Sequence, residues 1–168
     1  MKYFLKSGIY ILLAGIILPF AAISQTKTPT EMTNNQNAAL FPKGDKLPDS
    51  HFTGNAFLTP LLAKDKNHDF GIGNVTFETG ARTNWHTHPR GQVLIVTEGA
   101  GFYQEKGKSA RPIKKGDVVN VPENTEHWHG AAAATKMVHI AITNFKGDTN
   151  VVWLKPVSEI DYNAVNKQ

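Results

Sequence analysis

The sequence predicts an all-β sandwich or barrel, and three observations carry that prediction. Between about residue 52 and residue 154 the chain is cut into short apolar or alternating runs by Gly, Pro and Asn. No segment sustains a helical period over a useful length. The run Met137–Phe145 separates into two faces, with Val138, Ile140 and Ile142 on one and His139, Ala141 and Thr143 on the other, as a strand requires.

In chain order, Lys2 and Lys6 lead into an apolar run from about Ile9 to Ile23, broken at Pro19 and closed by Ala22-Ile23-Ser24 before Gln25. This is the pattern of a secretory signal peptide over residues 1–24, cleaved after Ser24. An apolar run of about fifteen residues broken by proline falls short of the roughly twenty that span a bilayer. The expectation is a periplasmic or secreted protein with no stable membrane association after cleavage. The chain has no cysteine, which excludes both lipid attachment at the cut and disulfides. Residues 25–46 turn to Thr, Asn, Gln, Pro and Lys with no apolar period and read as a flexible arm, in which Leu40-Phe41-Pro42 could dock onto the domain or a neighbouring subunit.

Residues 47–168 make up the one domain, and a hydrophobic content of 40% is enough for a globular core. Its strand-like runs are Phe52–Ala63, Gly71–Glu78, Gln92–Glu98, Gly101–Lys106, Val118–Val121, His127–Ala132, Met137–Phe145 and Val151–Leu154. The formal charge is +4, and without Lys2 and Lys6 there remain 16 basic against 14 acidic residues. The basic residues are scattered, Lys114-Lys115 being the longest basic run, so a nucleic-acid partner is not expected.

The chemistry is carried by histidines. On a strand His86 and His88 stand at i and i+2 and share a face, with Trp85 and Thr87 pointing away. Pro89-Arg90-Gly91 is a turn signal that lets Gln92 return to the same spot. After the strand and Pro-led turn of Gly116–Pro122 comes a second same-face pair, His127 and His129. His86, His88, Gln92 and His127 therefore form a candidate divalent-metal set, and three imidazoles with one amide oxygen suit Mn, Fe, Co, Ni or Zn. His129 stands outside that set on the same face, and an imidazole beside a metal suits proton transfer as general base or acid. Alternation on Met137–Phe145 assigns His139 and Thr143 to a pocket wall, and Gly73, Val75 and Phe77 alternate similarly. Trp85 and Trp128 read as packing or subunit-contact residues.

Gly80, His86, His88, Gln92 and Gly99 stand as G-x5-H-x-H-x3-Q-x6-G, and Gly116, Pro122 and His127 as G-x5-P-x4-H. These resemble the two cupin motifs across about 110 residues, which implies a double-stranded β-helix, the cupin jelly-roll barrel. Gln92 replaces the usual Glu, Asn124 stands where the family often has Gly, and Ala131 where it often has Asn. Asn tolerates a left-handed backbone. A neutral amide in place of a carboxylate leaves a bound ion its full charge, making it a stronger Lewis acid. Val75-Thr76-Phe77-Glu78, Gly80-Ala81-Arg82-Thr83, Trp85-His86-Thr87-His88-Pro89 and His127-Trp128-His129-Gly130-Ala131-Ala132 are similar to bacterial cupin-type hydroxynitrile lyases.

That resemblance implies manganese on three His and one Gln, pocket positions at Val75 and Thr143, and cleavage of a cyanohydrin to an aldehyde and hydrogen cyanide. His129 is then expected to take the substrate hydroxyl proton and return it to the departing cyanide. The family habit of pairing barrels through sheet edges and N-terminal arms implies a homo-oligomer. Two other readings share the ligands: a metal-dependent cupin dioxygenase, and a periplasmic cupin that binds metal or a small ligand without turnover.

Overall fold

The computed structural model describes residues 39–167, so the expected leader and most of the expected arm lie outside the described residues. The strands are β1 (Asp45–Lys46), β2 (Phe52–Thr53), β3 (Ala56–Leu62), β4 (Phe70–Phe77), β5 (Arg82–Thr83), β6 (His86–Thr87), β7 (Gln92–Glu105), β8 (Arg111–Lys114), β9 (Val118–Val121), β10 (His127–Ala131), β11 (Met137–Asn144) and β12 (Val152–Trp153), followed by the helix α1 (Glu159–Val165). All pairings between them are antiparallel, in the order β1-β3-β4-β11-β7-β10-β5-β2, with β9 and β8 also on β7 and β6 bridging β10 and β12. The sheet curls on itself, as the all-β prediction requires.

One long strand joins the two halves of the barrel. The expected runs Gln92–Glu98 and Gly101–Lys106 are a single strand, β7, whose first half pairs with β11 and β9 and whose second half pairs with β10 and β8. Gly99 explains the difference. It bends the backbone at φ 70° while the ladder continues, and a Cβ there would lie 1.9 Å from the Lys136 carbonyl oxygen. The partner strand answers with a register shift between Val138 and His139.

The strands β1, β5 and β8 and the helix α1 were not expected. β8 contains Pro112 and, among the described residues, pairs only with β7. The Lys115 N–H donates to the Gly99 carbonyl, so by alternation Pro112 opposite Phe102 is a non-hydrogen-bonded position and its missing N–H costs no ladder bond. α1 is short enough to be marginal alone; Ser158 caps it by accepting a hydrogen bond from the Asp161 N–H at 3.1 Å. Its inward side chains, Tyr162 and Val165, pack with Trp85, Trp128 and Val157 in a cluster separate from the main core. Burying side chains of that size is worth about 1.5–3 kcal/mol each. Both tryptophans thus pack beneath the helix.

The main core joins Phe52, Phe77, Leu94, Val96, Ile113, Val119, Val121 and Met137. At the end of the expected arm, Asp45–Lys46 pairs with Leu58 and Phe57, and Thr59 donates to the Pro42 carbonyl at 2.6 Å. No helix among the described residues is long and apolar enough to cross a membrane.

Candidate metal centre

Strand register assembles the site. His127 on β10 lies directly opposite His86 on β6, and on the other side of β6 the partner of His86 is Trp153 of β12. Directly opposed residues share a face, so the His86 ring sits 4.1 Å from that of His127 and 5.0 Å from that of Trp153, centroid to centroid. His88 follows at i+2, 5.0 Å from His86 and 5.5 Å from His127. Gln92 opens β7 opposite Thr143 of β11. Asn124, in the turn before His127, has φ 56°, the left-handed conformation expected of it.

Three of these histidines are oriented alike. The Nδ1 atom of His86 lies 2.9 Å from the Asn84 carbonyl, that of His127 lies 2.8 Å from the Thr125 carbonyl, and that of His88 lies 2.5 Å from the Asn150 carbonyl. A carbonyl can only accept, so Nδ1 must carry the proton and Nε2 is left with its lone pair for a metal. The inward Nε2 atoms of His88 and His127 and Oε1 of Gln92 are buried with no hydrogen-bond partner among the described residues. Buried polar atoms without partners are costly and rare. Here they are all Lewis bases, which is the donor set a divalent ion would satisfy.

His129 and His139 are different. Neither ring is held by a carbonyl at good hydrogen-bond geometry: Nδ1 of His129 and both nitrogens of His139 lack such partners among the described residues, although the Ile140 backbone lies near the His139 ring. Their rings are 4.9 Å apart, and His139 packs against Phe77. The ligand atoms of His86, His127 and His129 all lie within 4.8 Å of one another, so the structure groups His129 with two of the expected ligands, and the third histidine, His88, stands outside that trio.

Burial sets the protonation of the whole group. It is the largest cause in every case, holding His86 and His129 well below the ordinary imidazole value, His88 below it, and His127 and His139 down to about 4. Neighbouring rings add to the effect at His86 and His129. All five are neutral near pH 7, the form that binds metal or accepts a proton.

A cavity of about 500 Å³ opens onto this cluster, lined by His86, His88, Gln92, His129, His139, Val75 and Thr143 at its polar end. His127, fully buried, is not part of that lining. Away from the cluster the wall turns apolar, with Phe52, Leu58, Ile72, Phe77 and Trp153. The sequence reading did not identify Trp153 or His51, whose rings stack at 4.6 Å with 6° between their planes. The β12–β6 pairing that places Trp153 links residues more than sixty apart and leaves no local signal.

Residues 73–143, which hold every expected ligand, match the Cupin domain family. An (R)-mandelonitrile lyase from Granulicella tundricola is 43% identical over 117 residues, covering 70% of this chain and 89% of that protein. The chain belongs to the cupin family. Among solved structures, a cupin-like protein from Thermotoga maritima is 45% identical with a TM-score of 0.74, covering 77% of this cupin and 98% of that chain. The DMSP lyase DddQ from Ruegeria pomeroyi shares the fold at 17% identity and a TM-score of 0.53, over 72% of this chain and 62% of its own. This cupin has a site compatible with metal binding and a relative that is a lyase.

Proposed function

We propose that this cupin is a metal-dependent carbon–carbon lyase of the hydroxynitrile lyase type, with the ion, manganese by preference, on His86, His88, Gln92 and His127. The observation that carries the reading is the shared orientation of the three histidines, each Nδ1 on a backbone carbonyl, around the inward Gln92 oxygen. The likeness to a mandelonitrile lyase supports the reaction. The apolar wall of Phe52, Phe77 and Trp153 suits an aryl or alkyl group beside a polar reacting centre.

The reaction converts R–CH(OH)–CN into R–CHO and HCN. A divalent ion in the site would supply positive charge that acidifies a nearby hydroxyl and stabilises the developing oxyanion, which lets so weak a base as a buried imidazole work. His129 takes the hydroxyl proton at a ring nitrogen, the C–C bond electrons leave with cyanide, and the imidazolium returns the proton to cyanide. His139, neutral and with its ring 4.9 Å from that of His129, is a polar neighbour of the base in the pocket wall. The aromatic wall excludes water from the aldehyde. Export behind the 1–24 leader and assembly as a homo-oligomer belong to the same proposal.

The test is metal content of the purified chain together with benzaldehyde release from mandelonitrile, with and without chelator and without oxygen. Stoichiometric metal and chelator-sensitive, oxygen-independent release are expected. Metal without release would overturn the lyase reading, and oxygen consumption with an enol or phenol would replace it by a dioxygenase.

A further inference from the structure

Of the four residues read as ligands, Gln92 alone has an inward donor that no backbone carbonyl selects. Its amide is nearly symmetric in shape, and only its oxygen can hold a cation. We propose that Thr143 is a positioning residue that stabilises the ligating orientation of Gln92; the inference rests on the metal reading above and deepens it.

Gln92 and Thr143 are direct cross-strand partners on β7 and β11, both buried, and Gln92 Nε2 donates to Thr143 Oγ1 at 2.9 Å. On its other side Thr143 faces Gly71 of β4, so no side chain at its own register position competes for the hydroxyl. The branched Cβ restricts the rotamer and presents Oγ1 in place.

A hydroxyl can accept or donate, so this bond by itself tolerates either end of the amide. The surroundings decide. With an ion present Oε1 must face inward, which turns the NH2 group toward β11, where Thr143 Oγ1 is its acceptor. Replacing that hydroxyl by a methyl group of the same shape leaves a buried N–H unpaired only in the ion-binding orientation. In the metal-free chain the amide can flip and donate to an imidazole Nε2 instead. The substitution therefore acts on the ion-bound state and weakens binding.

The experiment measures dissociation constants for cobalt and manganese by chelator competition, and the cobalt ligand-field spectrum, for the unmodified chain and for T143V, T143S, T143A, Q92A and Q92A/T143V. T143V and T143A should bind about 10–100-fold more weakly, the range seen when a group orienting a ligand is lost, and should show an altered cobalt spectrum. T143S should restore affinity and spectrum. In the Q92A background T143V should add nothing, because the amide it orients is gone. Affinity and spectrum in T143V and T143A equal to those of the unmodified chain, or an undiminished loss in the Q92A background, overturn the role of Thr143 while leaving the metal site standing. Failure of the unmodified chain to take up either metal overturns the ligand reading and this inference together.

Discussion

Opposite faces of β10 use buried side chains in opposite ways. Trp128 on the outer face is fully buried, its Nε1 donates to Gln104 Oε1 at 2.7 Å, and its ring meets Tyr162 at 6.1 Å. On the inner face His127 Nε2 and His129 Nδ1 are equally buried and have no partner among the described residues. A buried polar atom left unpaired costs about 1–3 kcal/mol, so the inner face weakens the metal-free fold that the outer face supports. Stability and chemistry thus sit back to back on one five-residue strand and should respond separately to substitution.

The largest effect is expected on the inner face. Loss of a group that only orients a ligand weakens metal binding about 10–100-fold, and His86→Ala, which removes a ligand, should exceed that and abolish turnover. Its metal-free form should lose less stability than Trp128→Ala does, because the buried imidazole is smaller than the indole. Metal titration and calorimetry check both halves, and a metal-free loss as large as that of Trp128→Ala would blur the division.

On the outer face Trp128→Ala should cost about 3–5 kcal/mol, as truncating a buried aromatic does. The molecules that remain folded should keep full metal stoichiometry. Denaturant titration with metal analysis of the folded fraction reads the result, and loss of metal from folded protein would couple the two faces.

Acid sharpens the contrast. Burial holds His127 and His139 down to about 4 against an ordinary value of 6.5, so between those values the unfolded chain binds protons that the native chain refuses. Stability of the metal-free chain should be flat above pH 6.5 and fall as pH drops toward 4, on the order of 3 kcal/mol for each of these two groups. Melting temperature against pH measures it. His139→Leu should flatten the curve, and an unchanged slope would contradict the burial argument.

The smallest effect belongs to the clasp of α1. Arg82 donates to Glu159 at 2.6 Å and lies 4.3 Å over the Tyr162 ring. Glu159 is exposed, so its charge is screened, and Glu159→Gln should cost about 1 kcal/mol or less. A loss comparable to that of Trp128→Ala would mean that charge, rather than apolar packing, holds the helix.

The inner face was the more legible of the two in the sequence. A period of two places His86 with His88, His127 with His129, and His139 with Thr143, and two turn signals return Gln92 and His127 to the cluster. The pairing of β7 with β11 could not be read locally, so Thr143 was visible as pocket wall and not as the partner of Gln92. The acceptor for His88 is a backbone carbonyl 62 residues away, and a backbone atom leaves no mark on composition. α1 was missed because seven residues with two inward side chains carry too little period; Ser158 and Asp161 were its available signal. Gly99 reads in the sequence as punctuation between strands, whereas its positive φ lets one strand bend through.

The most direct test of the central claim is anomalous diffraction at the manganese edge from crystals of metal-loaded protein. The account predicts one site, bounded by Nε2 of His86, His88 and His127 and by Oε1 of Gln92, with His129 and His139 unligated. An ion held by the close trio His86, His127 and His129, with Gln92 outside its reach, would contradict it and remove His129 as the base.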